Sequence, residues 1–118
     1  MKNLAPQIYR QRLIIEGIYN TNLSLLKIRT FMKELSGEMK MTVIYGPIVK
    51  NIAGKINPFH AGFEGILIWA ESGASVYTWE NQKFFTMDIY TCKKFSVKKA
   101  VDFTRKFFNA KKIEYKSV

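Results

Sequence analysis

The residues that offer chemistry are few, and the first of them is Ser72. It lies in the stretch AESGASVYTWE, Ala70 to Glu80, which follows the apolar run GILIW, turns on Glu71, Ser72 and Gly73, and resumes as the alternating run SVYTW. A tight reversal between strands ordinarily carries Asn, Asp or Gly for backbone reasons, so Ser72 is either a turn residue or a functional one. Cys92 is the only cysteine, which excludes an internal disulfide and a multi-cysteine zinc site. It is a packed thiol or a functional one, and packing is the commoner fate of such a residue. His60, the only histidine, sits in a glycine-rich loop and reads as a loop residue rather than a base. No histidine-based metal site is expected, no paired carboxylates flank a common motif, and GASVYT lies between strands rather than before a helix, so it is no phosphate cradle. Antiparallel pairing can bring Ser72 and Cys92 to one end of a sheet. One serine and one thiol make no triad, and spacing alone leaves the pair unclassified.

The elements that must position these residues follow from periodicity. RLIIEGIY, Arg12 to Tyr19, reads as a strand. Next comes a helix with Ser24 as N-cap, Gly37 as stop, and Leu25, Ile28, Met32 and Leu35 on one face. MTVIYGPIV is a second strand with Pro47 near its end, and KNIAGKINPFHAGFEG is a loop. GILIWAE reads as a strand covered on both faces, ASVYTW as a half-exposed one, and KFFTMDIYTC as a further strand. SVKKAVDFTRKFF then places Val97, Ala100, Val101, Thr104 and Phe108 along one helical stripe, and KIEYK is a short last strand. The order β-α-β-β-β-β-α-β predicts an α+β fold: a two-layer sandwich of an antiparallel-rich sheet with two helices on one face. The other face, with its aromatic content, needs a cover, and a second subunit is the expected one, giving a homodimer.

At 118 residues the chain is expected to be a single domain over 1–118, and its 47% hydrophobic and 14% aromatic content excludes disorder. No apolar stretch approaches the roughly 20 residues of a spanning helix, and MKNLAPQIYRQR lacks the apolar core of a signal peptide, so a cytoplasmic protein away from membranes is expected. The net charge is +10, and nine of the 19 basic residues fall between Lys93 and Val118. Such a cluster fits phosphates or a solvated helix face. Without an Arg/Gly tail, zinc finger or ribonucleoprotein-like motif, the solvated face is favoured and nucleic acid is the less expected partner.

A family resemblance classifies the pair. GFEGILIWAESGASVYTWENQKFFTMDIYTC resembles the central segment of the small prokaryotic S-adenosylmethionine decarboxylases, with Gly62, Gly65, Glu71, Ser72, Thr78, Trp79, Asp88, Thr91 and Cys92 matching without a gap. The flanks agree in layout, with Glu16 in an N-terminal strand and a helix after Cys92. The resemblance implies a proenzyme that cleaves its own backbone between Glu71 and Ser72 and converts Ser72 into a pyruvoyl cofactor. The keto group so formed accepts the electrons left by departing carbon dioxide, with Cys92 as proton donor. The implied substrate is S-adenosylmethionine, or another amino acid in a divergent member, and the implied pathway is polyamine (spermidine) biosynthesis. Glu16 is implied in the pocket, with Phe59 or Phe63 as aromatic partners for adenine.

Several positions depart from the family pattern. Tyr77 stands where the family has the histidine that supports processing, Glu64 where it has a serine, Gly73 where a histidine follows the cleavage serine, and Glu80 and Asn81 where Pro-Glu follows the tryptophan. A phenol with an unperturbed pKa of about 10 is a poor base at neutral pH. Glu64 or Tyr77 would have to assist cleavage. The alternative is an unprocessed, catalytically impaired paralogue that binds a ligand or regulates.

Overall fold

The computed structural model describes residues 1–52 and 59–118, so part of the expected glycine-rich loop lies outside the described residues. Strict alternation sets the sheet. In β1 (Gln11–Ile18) Leu13 and Ile15 are buried while Arg12, Ile14 and Glu16 face outward. The same period buries Ala74, Val76 and Thr78 in β4 (Ser72–Trp79), and Phe85, Met87, Ile89 and Thr91 in β5 (Phe84–Thr91). With β2 (Val43–Asn51), β3 (Phe63–Trp69) and β6 (Lys112–Ser117) these strands form one sheet in the order β2-β3-β4-β5-β1-β6, every neighbour antiparallel. The expected element order and two-layer α+β architecture are the ones observed.

Both helices cover the same face. Helix α1 (Leu25–Glu38) buries Ile28, Phe31, Met32 and Leu35, and α2 (Val97–Phe108) buries Ala100, Val101, Thr104 and Phe108. The helices meet through aromatic rings: Phe31 stacks on Phe103 at 5.7 Å and meets Phe108 edge-on at 4.9 Å, while Phe108 stacks on Phe85 of the sheet at 4.2 Å. Gly17 makes that last stack possible, because a Cβ there would lie 2.7 Å from the Phe85 ring and 2.8 Å from the Lys112 carbonyl oxygen. Deeper in the core, the Trp69 indole N–H donates to the Ser36 hydroxyl at 2.8 Å, and that hydroxyl donates to the Met32 carbonyl at 2.8 Å.

Several boundaries differ from the sequence expectation. Gly37 does not stop α1; the left-handed residue is Lys40, with φ 55°. There Met41 N–H reaches the Ser36 carbonyl and Lys40 N–H the Gly37 carbonyl, a bonding pattern that closes a helix at whichever residue accepts positive φ. Leu25 is 41% exposed in the first turn, and Phe31 completes the buried stripe instead. The strand expected to be covered on both faces is covered on one: Ile66 is 48% and Ile68 47% exposed, because both helices among the described residues pack on the opposite face. Pro47 falls inside β2, where the register shifts between Tyr45 and Ile48, and an edge strand tolerates the missing donor. The basic third lies partly on the outer side of α2, where exposed Lys98 and Arg105 hold Asp102 at 2.6 and 3.1 Å. The Lys98 hydrogen bond is the main reason the Asp102 carboxyl titrates below its ordinary range.

Two substitutions test this packing. Ser36→Ala strands the buried Trp69 N–H and is expected to destabilise the fold by about 1–3 kcal/mol, read from urea denaturation. Gly17→Val forces Phe85 and β6 apart and is expected to cost about 1–3 kcal/mol, with an unchanged midpoint counting against the close packing described.

Candidate active site

The turn that holds Ser72 is tighter than its sequence implies. It consists of Ala70 and Glu71 alone, and Ser72 and Gly73 already belong to β4, opposite Trp69 and Ile68. Glu71 takes the left-handed backbone, φ 59°, which disfavours a side chain and stores strain of about 1–3 kcal/mol directly before Ser72. Gly73 is needed for space, since a Cβ there would lie 2.9 Å from the Leu67 carbonyl oxygen.

Cys92 follows the last residue of β5 and so meets the start of β4, because Gly73 pairs with Tyr90. Its approach is fixed from behind: Thr91 is buried, and its hydroxyl donates to the Lys93 carbonyl at 2.6 Å. The Cys92 backbone N–H donates to Ser72 Oγ at 3.2 Å, Cys92 Sγ donates to Glu71 Oε2 at 3.4 Å, and Ser72 Oγ lies 3.8 Å from Sγ. A thiol has one proton; given to Glu71, it leaves the serine hydroxyl as donor to sulfur. The result is a short proton path from Ser72 through Cys92 to Glu71. The amide at Oγ stabilises negative charge as it develops on the serine oxygen.

Beside this cluster the outward face carries an open cavity of about 580 Å³, whose wall includes Arg12, Ile14, Ser72, Ser75, Asp88 and Tyr90. That volume suits a small organic molecule. The floor is the sheet itself at Gly73, where no side chain fills the space between β3 and β5.

The other expected site residues form a second group. Glu64 pairs directly with Tyr77, Tyr77 with Thr86, and Thr86 with Glu16, in one row across the outward face. The Thr86 hydroxyl donates to Glu16 Oε2 at 2.8 Å. Tyr77 is five residues along β4 from Ser72, about 16 Å at the rise of an extended strand. Within one chain the structure therefore joins Ser72, Cys92 and Glu71 and keeps Glu64, Tyr77 and Glu16 apart from them. Phe63 packs against the core on the helix side of the sheet, away from the cavity, and Phe59 is exposed at the end of the loop. His60 stacks on Trp79 at 4.7 Å.

Sequence reasoning passed over Arg12, Ser75 and Tyr90, and valued Asp88 only as a motif match. Alternation signals that Arg12 faces outward, and likewise Asp88 with Tyr90. Which of them share a cavity wall is set by the register of three strands. Among the described residues no group of three or more His, Cys, Asp or Glu is arranged to hold a metal ion, and no helix is long and apolar enough to cross a membrane.

Comparison with known proteins places the chain in a family. Residues 17–118 match the family described as S-adenosylmethionine decarboxylase. The chain is 35% identical over 71 residues to an S-adenosylmethionine decarboxylase proenzyme of Clostridium botulinum, an alignment covering 58% of this chain and 61% of that protein. It is 43% identical over 51 residues to the proenzyme of Pyrococcus furiosus, covering 42% of this chain and 37% of that one. The matched segment thus spans about three-fifths or less of these curated relatives. The fold resembles the crystal structure of adenosylmethionine decarboxylase from Aquifex aeolicus with a TM-score of 0.75 at 19% identity, over 94% of this chain and 89% of that one. With the match running from the end of β1 through β6 and including both Ser72 and Cys92, the chain belongs to the S-adenosylmethionine decarboxylase family.

Proposed function

We propose that residues 1–118 act as one S-adenosylmethionine decarboxylase-like domain, a proenzyme that cuts itself between Glu71 and Ser72 and then decarboxylates S-adenosylmethionine for polyamine synthesis. The observation that carries this reading is the hydrogen-bonded cluster of Ser72, Cys92 and Glu71 at a strained turn. The proenzyme names of the relatives support it over an unprocessed ligand-binding paralogue. A cytoplasmic location goes with the reading.

Cleavage needs the hydroxyl of Ser72 to attack the carbonyl carbon preceding it. The new C–O bond forms as the Glu71–Ser72 C–N bond breaks, and the hydroxyl proton ends on the freed amino nitrogen. Loss of the Ser72 Cα proton then expels the Glu71 carboxylate, and water replaces nitrogen, releasing ammonia and leaving a ketone at the new terminus. Strain at Glu71 favours the first step, and the Cys92 amide holds the attacking oxygen. The residues present fit a pyruvoyl group built from Ser72, because the cavity of about 580 Å³ opens beside that residue. Such a group supplies a carbonyl that takes up the amino group of the substrate and accepts the electron pair left by carbon dioxide. Cys92 keeps its thiol within 3.8 Å of Ser72 Oγ, in place to return a proton to the product carbon.

Tyr77, too far along β4 to touch its own Ser72, and Glu64, opposite Tyr77 on β3, would assist cleavage only from a second copy. The outward face supports such pairing: Ile14, Ile66 and Ile68 are 38–48% exposed there, opposite the face that the two described helices cover. A homodimer is therefore part of the proposal.

Intact-mass analysis after incubation tests cleavage. The expected products are chains 1–71 and 72–118, the second lighter by one ammonia than a serine-ended chain, while Ser72→Ala stays whole. An uncut wild-type chain after prolonged incubation sinks the reading. In the cut protein, Cys92→Ala is expected to slow release of carbon dioxide from carboxyl-labelled S-adenosylmethionine by roughly a hundredfold or more. Sedimentation should show a dimer for the wild type and a monomer for Ile68→Lys; a wild-type monomer at micromolar concentration removes the second copy from the proposal.

A further inference from the structure

The cavity beside Ser72 carries two charged side chains, Arg12, which belongs to no motif, and Asp88, which the motif match left without a role. Arg12, Tyr90 and Gly73 stand in one register row across β1, β5 and β4. The Arg12 Cζ lies 4.7 Å from the centroid of the Tyr90 ring, so the guanidinium is held over the middle strand of the three. Gly73 puts no side chain on the far side of Tyr90, so the cation borders the open space that Ser72 also borders.

One step along the strands, Asp88 pairs with Ile14 and Ser75, which makes it a diagonal neighbour of Arg12 on the same wall. Diagonal neighbours are within reach of a side chain as long as arginine. Yet the two do not join: among the described residues the ion pairs are Lys98–Asp102 and Arg105–Asp102, and neither Arg12 nor Asp88 enters one. The wall therefore presents a guanidinium and a carboxylate that are both available, the guanidinium pre-oriented by an aromatic face. A planar fork of donors suits a carboxylate.

We propose that Arg12, held on Tyr90, anchors the carboxylate of an amino acid bound beside Ser72, and that Asp88 meets a cationic group on the side chain of the same amino acid. The substrate class so defined is an amino acid with a positively charged side chain, of which the sulfonium of S-adenosylmethionine is one case. The proposal rests on the reading of Ser72 as the reactive centre. It also fixes what Arg12 contributes. The carboxylate loses its charge as carbon dioxide leaves, so the ion pair is at least as strong in the bound substrate as in the transition state, and its loss appears in KM rather than as a fall in kcat.

The test compares Arg12→Gln, Arg12→Lys and Asp88→Asn with wild type. Melting temperature and extent of self-cleavage report fold and processing separately from binding. Arg12→Gln is expected to raise KM for S-adenosylmethionine roughly tenfold to a hundredfold, with kcat unchanged or higher. Inhibition by decarboxylated S-adenosylmethionine, which lacks the carboxylate, should change by less than about threefold. Arg12→Lys, which keeps the charge without the planar fork, should fall between. Asp88→Asn should weaken substrate and decarboxylated compound alike, and methionine, with no side-chain cation, should bind poorly throughout. An unchanged KM in Arg12→Gln, or equal weakening of both compounds, overturns the role of Arg12. Should the wild type prove uncut, the proposed function falls while the binding question is still answered by calorimetric titration of S-adenosylmethionine into Ser72→Ala with and without Arg12→Gln. There a tenfold difference supports the anchor, and equal binding or none overturns it.

Discussion

The pairing of β4 between β3 and β5 is the constraint on which the candidate site depends. Each neighbour contributes one side of it. Pairing with β3 leaves only Ala70 and Glu71 to reverse the chain, which forces Glu71 into the left-handed backbone with φ 59°. Pairing with β5 sets Tyr90 opposite Gly73 and so delivers Cys92 to the Ser72 hydroxyl at 3.2 Å through its amide. A slip of one residue in either ladder would reverse every side chain of β4 and separate these groups. The strained turn and the placing of the Ser72 hydroxyl thus arise from one strand's hydrogen bonds rather than from a dedicated loop.

The one-sided helix layer has the complementary consequence. The helices seal one face by packing the Phe31 and Phe108 rings over Phe85 of the sheet, and that burial frees the other face for polar and half-exposed residues. On that face the chemistry is ordered in rows. One holds Glu64, Tyr77, Thr86 and Glu16, and another, four residues along β4, holds Gly73, Tyr90 and Arg12. The separation of about 13 Å between rows follows from the strand rise. It explains why Glu64, Tyr77 and Glu16 do not reach Ser72 of the same chain.

Much of the fold was legible locally. The alternating apolar residues of β1, β4 and β5, and the Ile28, Met32 and Leu35 spacing of α1, each reflect a period that neighbouring residues impose on one another. The errors lie where a local signal had competitors. Gly37 looked like a helix stop, but the hydrogen bonds from Lys40 and Met41 ended α1 later, because Lys40 could accept positive φ. GILIW looked doubly buried because an apolar run carries no record of how many layers cover it, and Ile66 and Ile68 proved half-exposed.

The sequence by itself determined the element order, the residues that could react, and the family through its ungapped match from Gly62 to Cys92. Those properties depend on residue type and short spacing, which a linear string preserves. Only the tertiary structure decided that Glu71 joins Ser72 and Cys92, that Glu64, Tyr77 and Glu16 stand elsewhere, and that Arg12 rests on Tyr90 beside the cavity. Those facts depend on strand register, which is fixed by pairing between segments as distant as Arg12 and Tyr90 and by the burial of one face against two helices.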